Sequence, residues 1–266
     1  MGGFEGRVAM VTGGANGMGR ACARRLAAEG AAVVVVDVVE SAGKELLGEI
    51  AEAGGRAELV IGDVGDPAVI EQAVGLAESV LGGLDVVVAA AGIPVPGYRS
   101  GSPRAQAPAG LEGFVEMSLA DWDEVLGVNL RGALLAVQKG VASMVARGVP
   151  GSVVVITSVA AANPTSSGHV AYTASKAGAQ AMVKHVSRLV ADKGIRVNAV
   201  GPGLIDTNMS RTYLASAANQ AVFAHIPAGH AGTPDDIADA VLFLAGEGSR
   251  FVAGEVLYVD GGQFTG

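Results

Sequence analysis

Seven short runs of almost unbroken apolar residues recur along the chain: Val8–Thr12, Val33–Asp37, Ala57–Ile61, Leu84–Ala89, Ser152–Thr157, Ile195–Val200 and Glu255–Val259. Each has the length of a strand. A strand without apolar–polar alternation is buried on both faces, as in a parallel sheet covered by helices. Between the runs lie Ala-rich segments in which apolar residues return with helical period, notably Gly17–Glu29, Ser41–Ala53, Pro67–Val80, Asp121–Arg147 and Val170–Lys193. Strands that alternate with helices read as βαβ units. Because such crossovers are right-handed, the pattern predicts an α/β fold: a doubly wound parallel sheet of about seven strands with helices on both faces, the Rossmann arrangement. No linker, repeat or break in composition divides residues 1–266, so one domain is expected. Pro94–Gly113, rich in Pro, Gly and Ser, departs from the rhythm. Structureless loops of that length in a compact domain are usually functional or disordered.

Composition narrows the picture. Half of the residues are apolar and only 4% are aromatic, so Val, Ala, Leu and Ile must build the core. The net charge of −8, with no cluster of Lys or Arg, argues against a nucleic-acid surface. Cys22 is the single cysteine, which excludes an intrachain disulfide and any multi-cysteine metal site; it reads as a small core residue of a helix. The four histidines lack metal-ligand spacing, so no metal is expected. The first residues enter a strand directly and no apolar run is long enough to span a bilayer, so no membrane association is expected and a cytoplasmic setting is the default.

The first candidate for chemistry is the turn after the first strand, "VTGGANGMGR" (Val11–Arg20). Gly13, Gly17 and Gly19, with Asn16 and Met18 between them, lie where a tight turn opens a helix. Such a turn lets backbone approach a pyrophosphate, and the free N–H groups of the helix start hold its oxygens. A plain strand-to-helix turn would look similar, but the strand, turn and helix come in the order that dinucleotide binding requires. Asp37 ends the second strand, 18 residues beyond Gly19, where a carboxylate binds ribose hydroxyls and repels the extra phosphate of NADP. No arginine lies between the glycines or just after Asp37. NAD is therefore the expected cofactor.

The second candidate is "YTASK", Tyr172–Lys176. On a helix, residues four apart share a face, so the pair is either an inconsequential surface couple or a phenol activated by an ammonium. Tyrosine titrates near pH 10, and reaching neutrality needs a drop of roughly three units, about 4 kcal/mol. A positive charge at about 4 Å, with an effective dielectric of about 20, supplies about that much; the oxidised ring of a nicotinamide cofactor would add a second charge, and the pair makes chemical sense once such a cofactor sits beside it.

The glycine turn, "YTASK" and the length together resemble the short-chain dehydrogenase/reductase family, in its shorter single-domain branch, over nearly the whole chain. The resemblance implies a role for each matching position. Asp63, with Val64 beside it, would contact the adenine. "AAAG" (Ala89–Gly92) stands where the family has "NNAG", placing Ala91 and Gly92 against the cofactor without the side chain that helps fix the sheet. "NAVGPGLIDT" (Asn198–Thr207) would fold over the nicotinamide, with Pro202, Gly203, Ile205 and Thr207 near its carboxamide. "VDGG" (Val259–Gly262) matches a C-terminal segment often found at a subunit interface.

The catalytic set implied is Asn129, Ser158, Tyr172 and Lys176. Tyr172 would be general acid/base and Ser158 would hold the substrate oxygen. Lys176 would hold the nicotinamide ribose and lower the tyrosine pKa, and Asn129 would hold a water leading to solvent. Two further departures stand out. The spacing from Ser158 to Tyr172 is slightly longer than usual. Pro94–Gly113 looks like an insertion of roughly a dozen residues. It is compatible with part of the substrate mouth, a mobile surface loop or an interface element. Asn208–Ile226 is expected to be a substrate-facing flap whose Met209, Tyr213, Leu214, Val222 and Phe223 suggest an apolar pocket, or simply a helix burying one face.

The expectation is thus an NAD-dependent oxidoreductase that interconverts a secondary alcohol and a ketone, acting on a small molecule of apolar character as a homotetramer. The alternatives are an NADPH-dependent 3-oxoacyl thioester reductase, which Asp37 disfavours, and a non-catalytic NAD(H) sensor or scaffold.

Overall fold

The computed structural model describes residues 3–98, 110–165, 169–214, 223 and 226–264, the side chains of 212–214 excepted. Seven strands, β1 (Val8–Thr12), β2 (Ala32–Asp37), β3 (Arg56–Ile61), β4 (Val86–Ala89), β5 (Gly151–Ile156), β6 (Ile195–Pro202) and β7 (Val256–Val259), form one sheet in the order β3-β2-β1-β4-β5-β6-β7. Every pairing is parallel. The order reverses between β1 and β4. Loops leaving these two strands diverge and open a crevice at the carboxyl edge of the sheet, where ligands bind in folds of this kind.

The central strands β1, β2, β4, β5 and β6 are buried on both faces, as their lack of alternation implies, whereas the edge strands β3 and β7 are only partly buried. Met10, Val34, Val87, Val153 and Val197 point into one apolar layer, and their neighbours Val11, Val35, Val88, Val154 and Val200 into the other. Helices α1 (Gly17–Ala28), α2 (Glu40–Glu52) and α9 (Pro234–Ala245) cover the second layer. Helices α3 (Pro67–Leu76), α6 (Ala133–Arg147) and α7 (Val170–Val190) cover the first. Cys22 is fully buried on α1, and burial pushes its thiol up to about 12, so it is an inert core group.

The remaining helices are α4 (Gly110–Val115), α5 (Leu119–Leu126) and α8 (Asn208–Leu214). Two elements differ from expectation. Helix α9 is absent from the helices foreseen, although "TPDD" announces it: Thr233 and Asp236 form a reciprocal capping box and Pro234 occupies the first turn. The long helix foreseen over Asp121–Arg147 begins two residues earlier and is interrupted. Gly127–Gly132 forms a π turn between α5 and α6, with Asn129 in it. Such turns insert an extra residue into the helix and re-aim side chains, often at functional sites.

Pro94–Gly113 falls partly outside the described residues, which resume at Gly110. Its first residues are well packed: Val95 and Tyr98 are buried with Ile93 against Val125 of α5 and Ala171 of α7. Much of 208–226 also lies outside, including Val222 and His225, as do the side chains of Tyr213 and Leu214. Among the described residues no helix is long and apolar enough to cross a membrane, and no group of three His, Cys, Asp or Glu side chains could hold a metal.

Candidate active site

The crevice is lined by Gly13, Asn16, Gly17, Met18 and Gly19 of the glycine turn, Asp37 and Val38 after β2, and Gly62, Asp63 and Val64 after β3. Ala90–Ile93 after β4 and Thr207–Met209 before and within α8 complete it, with Tyr98 and Val128. At two of its key positions, Gly13 and Gly19, the turn leaves no space for a side chain; Gly17 has room for one but adopts a positive φ of +52°. A Cβ on Gly19 would lie 2.1 Å from the Gly13 carbonyl oxygen, and one on Gly13 would lie 2.6 Å from Ala91 Cα, at a φ of +63°. The first turn of α1 carries no acidic residue, and Asn16 at its start makes no side-chain cap. The Asn16 Nδ2 group is buried without a partner, which is costly unless something else accepts from it. A helix start with free N–H groups, an orphaned donor and a cradle too tight for a Cβ at Gly13 and Gly19 fit a dinucleotide pyrophosphate.

Asp37 is buried, and both oxygens accept from backbone: Oδ2 from Ala15 N–H at 2.9 Å and Oδ1 from Val39 N–H at 3.0 Å. Its carboxylate is therefore fixed in direction, with lone pairs left for a diol. Asp63 is exposed and folds onto the Gly65 N–H, 2.8 Å away. Ala90 and Ala91, standing where the family has asparagine and alanine, remain tied to β1 through backbone. The Ala90 N–H donates to Thr12 O and the Ala91 N–H to Thr12 Oγ1, at 3.2 and 3.4 Å.

Four more residues meet at the next bend of the sheet edge. Asn129 is 1% exposed, and Ile93 clasps it through both backbone groups: Nδ2 donates to the Ile93 carbonyl (2.9 Å) and Oδ1 accepts from the Ile93 N–H (2.7 Å). Its second N–H donates to Ser175 Oγ (3.1 Å), which donates to the Tyr172 carbonyl (2.7 Å). That leaves one lone pair of Oδ1 for anything else. Lys176 is 4% exposed and its Nζ donates to the Ile156 carbonyl at 2.9 Å. The bare Cα of Gly92 makes this packing possible, since a Cβ there would lie 3.2 Å from Lys176 Nζ and 3.4 Å from Asn129 Oδ1. Ser158, at the exit of β5, accepts from Ala160 N–H at 3.1 Å, and its hydroxyl pulls the Tyr172 pKa down.

Among the protein's own groups, burial dominates the electrostatics of the pair. Lys176 Nζ stands 5.8 Å from the centre of the Tyr172 ring. Burial pushes the Tyr172 pKa up, with Ser158 pulling the other way, and burial brings Lys176 down to about 8. For the phenol, desolvation outweighs the pull of Ser158. An amine at about 8 is still protonated by roughly ten to one at neutral pH, so Lys176 keeps its charge. His169 stands at the N-cap position of α7, one turn before Tyr172, but its side chain makes no cap, and Nδ1 is buried and unpartnered.

Not every residue foreseen lines the crevice. Pro202 ends β6, Gly203 packs on Asp260, and Ile205 is buried in the apolar layer and bridged to Gly232. Thr207 alone of that segment reaches it. Tyr98 lines it from within Pro94–Gly113, the segment compatible with a substrate mouth, while Val38, Gly62, Ile93 and Val128 line it without being expected there. Val38 follows Asp37 and Gly62 precedes Asp63, so the ends of β2 and β3 are their signal; nothing in the sequence marks Val128.

A parallel sheet with this crossover, a glycine cradle at its switch point and an Asn–Ser–Tyr–Lys group beside it define a nicotinamide-dependent oxidoreductase. The chain belongs to the short-chain dehydrogenase/reductase family: a family model described as enoyl-(acyl carrier protein) reductase matches residues 13–263. Among its relatives, 2,5-dichloro-2,5-cyclohexadiene-1,4-diol dehydrogenase of Sphingobium indicum is 35% identical over 99% of this chain and 98% of its own. A 3-oxoacyl-(acyl-carrier-protein) reductase of Thermotoga maritima is 34% identical, covering 97% of this chain and 98% of its own. A blue fluorescent protein from a metagenomic library, solved with NADPH, superposes with a TM-score of 0.86 at 35% identity, over 99% of this chain and all of that one.

Proposed function

We propose that the protein is an NAD-dependent dehydrogenase that oxidises a secondary hydroxyl, or reduces the corresponding ketone, on a small substrate of apolar character. The observation that carries this is the fixed Asp37 carboxylate in a crevice with no arginine or lysine among its described lining residues. The 2′,3′-diol of NAD can donate to that carboxylate, whereas a 2′-phosphate would meet two negative side chains, Asp37 and Asp63, and no cation.

Gly13, Asn16, Gly17, Met18 and Gly19 hold the pyrophosphate, and Asp63, Val64, Ala91 and Gly92 flank the adenosine. Thr207 meets the nicotinamide end, with Pro202, Gly203 and Ile205 supporting its segment from behind. Bound nicotinamide supplies a hydride acceptor and, when oxidised, a positive charge. That charge is the missing contribution to the Tyr172 pKa, because Lys176 alone leaves the phenol raised. Tyr172 takes the substrate hydroxyl proton as general base, or returns it as general acid. Ser158 donates to the substrate oxygen, and Lys176 holds the ribose. Asn129 clasps Ile93 to Ser175 and so fixes the start of α7.

The apolar lining of Ile93, Tyr98, Val128 and Met209 suits an uncharged ring. This agrees with the cyclic diol named for the Sphingobium relative. We also propose a homotetramer in a cytoplasmic setting. Leu111, Phe114, Val115 and Leu119, on or beside α4 and α5, are exposed, as are Phe243 and Phe251; exposed large apolar side chains favour burial at an interface.

The test is NADH formation from NAD across cyclic, polyol, steroidal and hydroxyacyl secondary alcohols, with NADP and Tyr172→Phe as controls. Turnover with NADP alone would sink the cofactor assignment. The acyl-carrier-protein relative favours a second reading, reduction of a 3-oxoacyl thioester with NADPH. The same assay run in reverse with an acetoacetyl thioester decides between them.

A further inference from the structure

Arg20 follows the last glycine of the turn, yet its guanidinium does not line the crevice. It reaches from α1 across to α2. Nη1 donates to the Ala15 carbonyl and to the Ala42 carbonyl, each at 3.2 Å. Nη2 pairs with Glu45 and Glu49, at 3.2 and 2.7 Å. The arginine is thus tied to the glycine turn at one end and to two successive turns of α2 at the other. Ala15 is fully buried, and its N–H is the donor that holds Asp37 Oδ2. Asp37 Oδ1 is held by Val39, immediately before α2 begins. The two backbone groups that aim the Asp37 carboxylate therefore belong to the two segments that Arg20 joins.

We infer that Arg20 is a positioning residue for cofactor choice: by stitching the glycine turn to α2 it holds Asp37 facing the ribose, and Glu45 and Glu49 keep the guanidinium from serving as a phosphate ligand. The inference rests on the reading of Asp37 as the ribose carboxylate. A planar guanidinium makes four fixed contacts here that an ammonium cannot reproduce. Without it, the peptide around Ala15 and the start of α2 separate freely, the carboxylate loses its fixed direction, and both its bond to the diol and its repulsion of a 2′-phosphate weaken.

The experiment is calorimetric titration of the full-length protein with NADH and with NADPH, for the wild type, Arg20→Met, Arg20→Lys and the double variant Glu45→Gln/Glu49→Gln. Folding is verified by near-ultraviolet circular dichroism. For Arg20→Met the ratio of NADPH to NADH dissociation constants should fall about tenfold, the effect of one ordinary hydrogen bond. Arg20→Lys should recover less than half of that loss. The double variant should lower the ratio through tighter NADPH binding, and it serves as the test should Arg20→Met not fold. Equal weakening of both cofactors, or an unchanged ratio, overturns the inference, because general loosening does not discriminate between them. A wild type that binds NADPH more tightly than NADH would instead overturn the assignment of NAD, and the change of ratio between variants would still report on Arg20.

Discussion

The two halves of the crevice are built by opposite means. On the β1–β3 side the contacts are made by backbone or by side chains pinned to backbone: glycine positions with no room for a Cβ, Asp37 held by two N–H groups, and Val64 buried beneath. On the β4–β7 side the surfaces are apolar side chains, Ile93, Tyr98, Val128 and Met209, set on segments that leave the regular sheet. A surface made of backbone reads one invariant ligand and tolerates little change. A surface made of side chains can be refitted one residue at a time. One half thus defines the chemistry and the other the substrate, as is general where function is grafted on a common fold.

That contrast can be broken at several points. The largest effect belongs where the halves meet. Tyr172→Phe should lower kcat by about two to four orders of magnitude, the usual range for a lost acid–base group, while NADH affinity measured by calorimetry stays within twofold. Loss of cofactor binding in that variant would mean that the phenol is structural. On the backbone side, Gly19→Ala places a Cβ 2.1 Å from the Gly13 oxygen. Relief of that clash costs about 1–3 kcal/mol, so cofactor affinity should fall ten- to a hundredfold with secondary structure intact. Asp37→Ser should weaken NADH binding about tenfold and leave NADPH unchanged or improved, as expected for one charge-assisted hydrogen bond; parallel titrations decide it.

Lys176→Met tests the junction through stability. Burial lowers the lysine pKa to about 8 in the folded state, against about 10.4 unfolded. Between those two values the unfolded chain binds the extra proton, so wild-type stability rises with pH through that window relative to the variant, by up to about 1.4 kcal/mol per pH unit. Below pH 8 the variant should be the more stable, by about 1–2 kcal/mol once the lost bond to the Ile156 carbonyl is counted. Urea melts at pH 7 and 10 check both signs. The smallest effect should come from the side-chain half: Met209→Ala should change KM for an apolar alcohol a few-fold, in proportion to the CH₂ groups removed, with kcat and cofactor affinity unmoved.

Legibility in the sequence follows the same division. The strands were readable because valine runs buried on both faces have no other use, and the glycine turn because its constraint is steric. Helix α9 was readable in principle, since Thr233-Pro234-Asp235-Asp236 before Ile237, Val241 and Leu244 carries both cap and period. The π turn was not, because Gly127–Gly132 keeps helical composition while changing hydrogen-bond register. Tyr98 was hidden as well: its burial depends on α5 and α7 arriving beside it, a long-range event that local pattern cannot carry. The desolvation of Tyr172 is not legible either, because spacing relates the phenol to Lys176 and says nothing of burial.

The π turn carries a consequence for how this chain can change over generations. Gly127–Gly132 holds one residue more than an α-helix of the same span would need. Deleting one residue there would restore regular winding while the flanking helices stay in phase, so the change would fall on the residues of the turn itself, which would be re-aimed. Asn129 would swing off Ile93 and Ser175. Most helices shed or gain a residue at a cost in packing alone. Here the count of residues is itself a setting, so this stretch should accept substitutions while keeping its length.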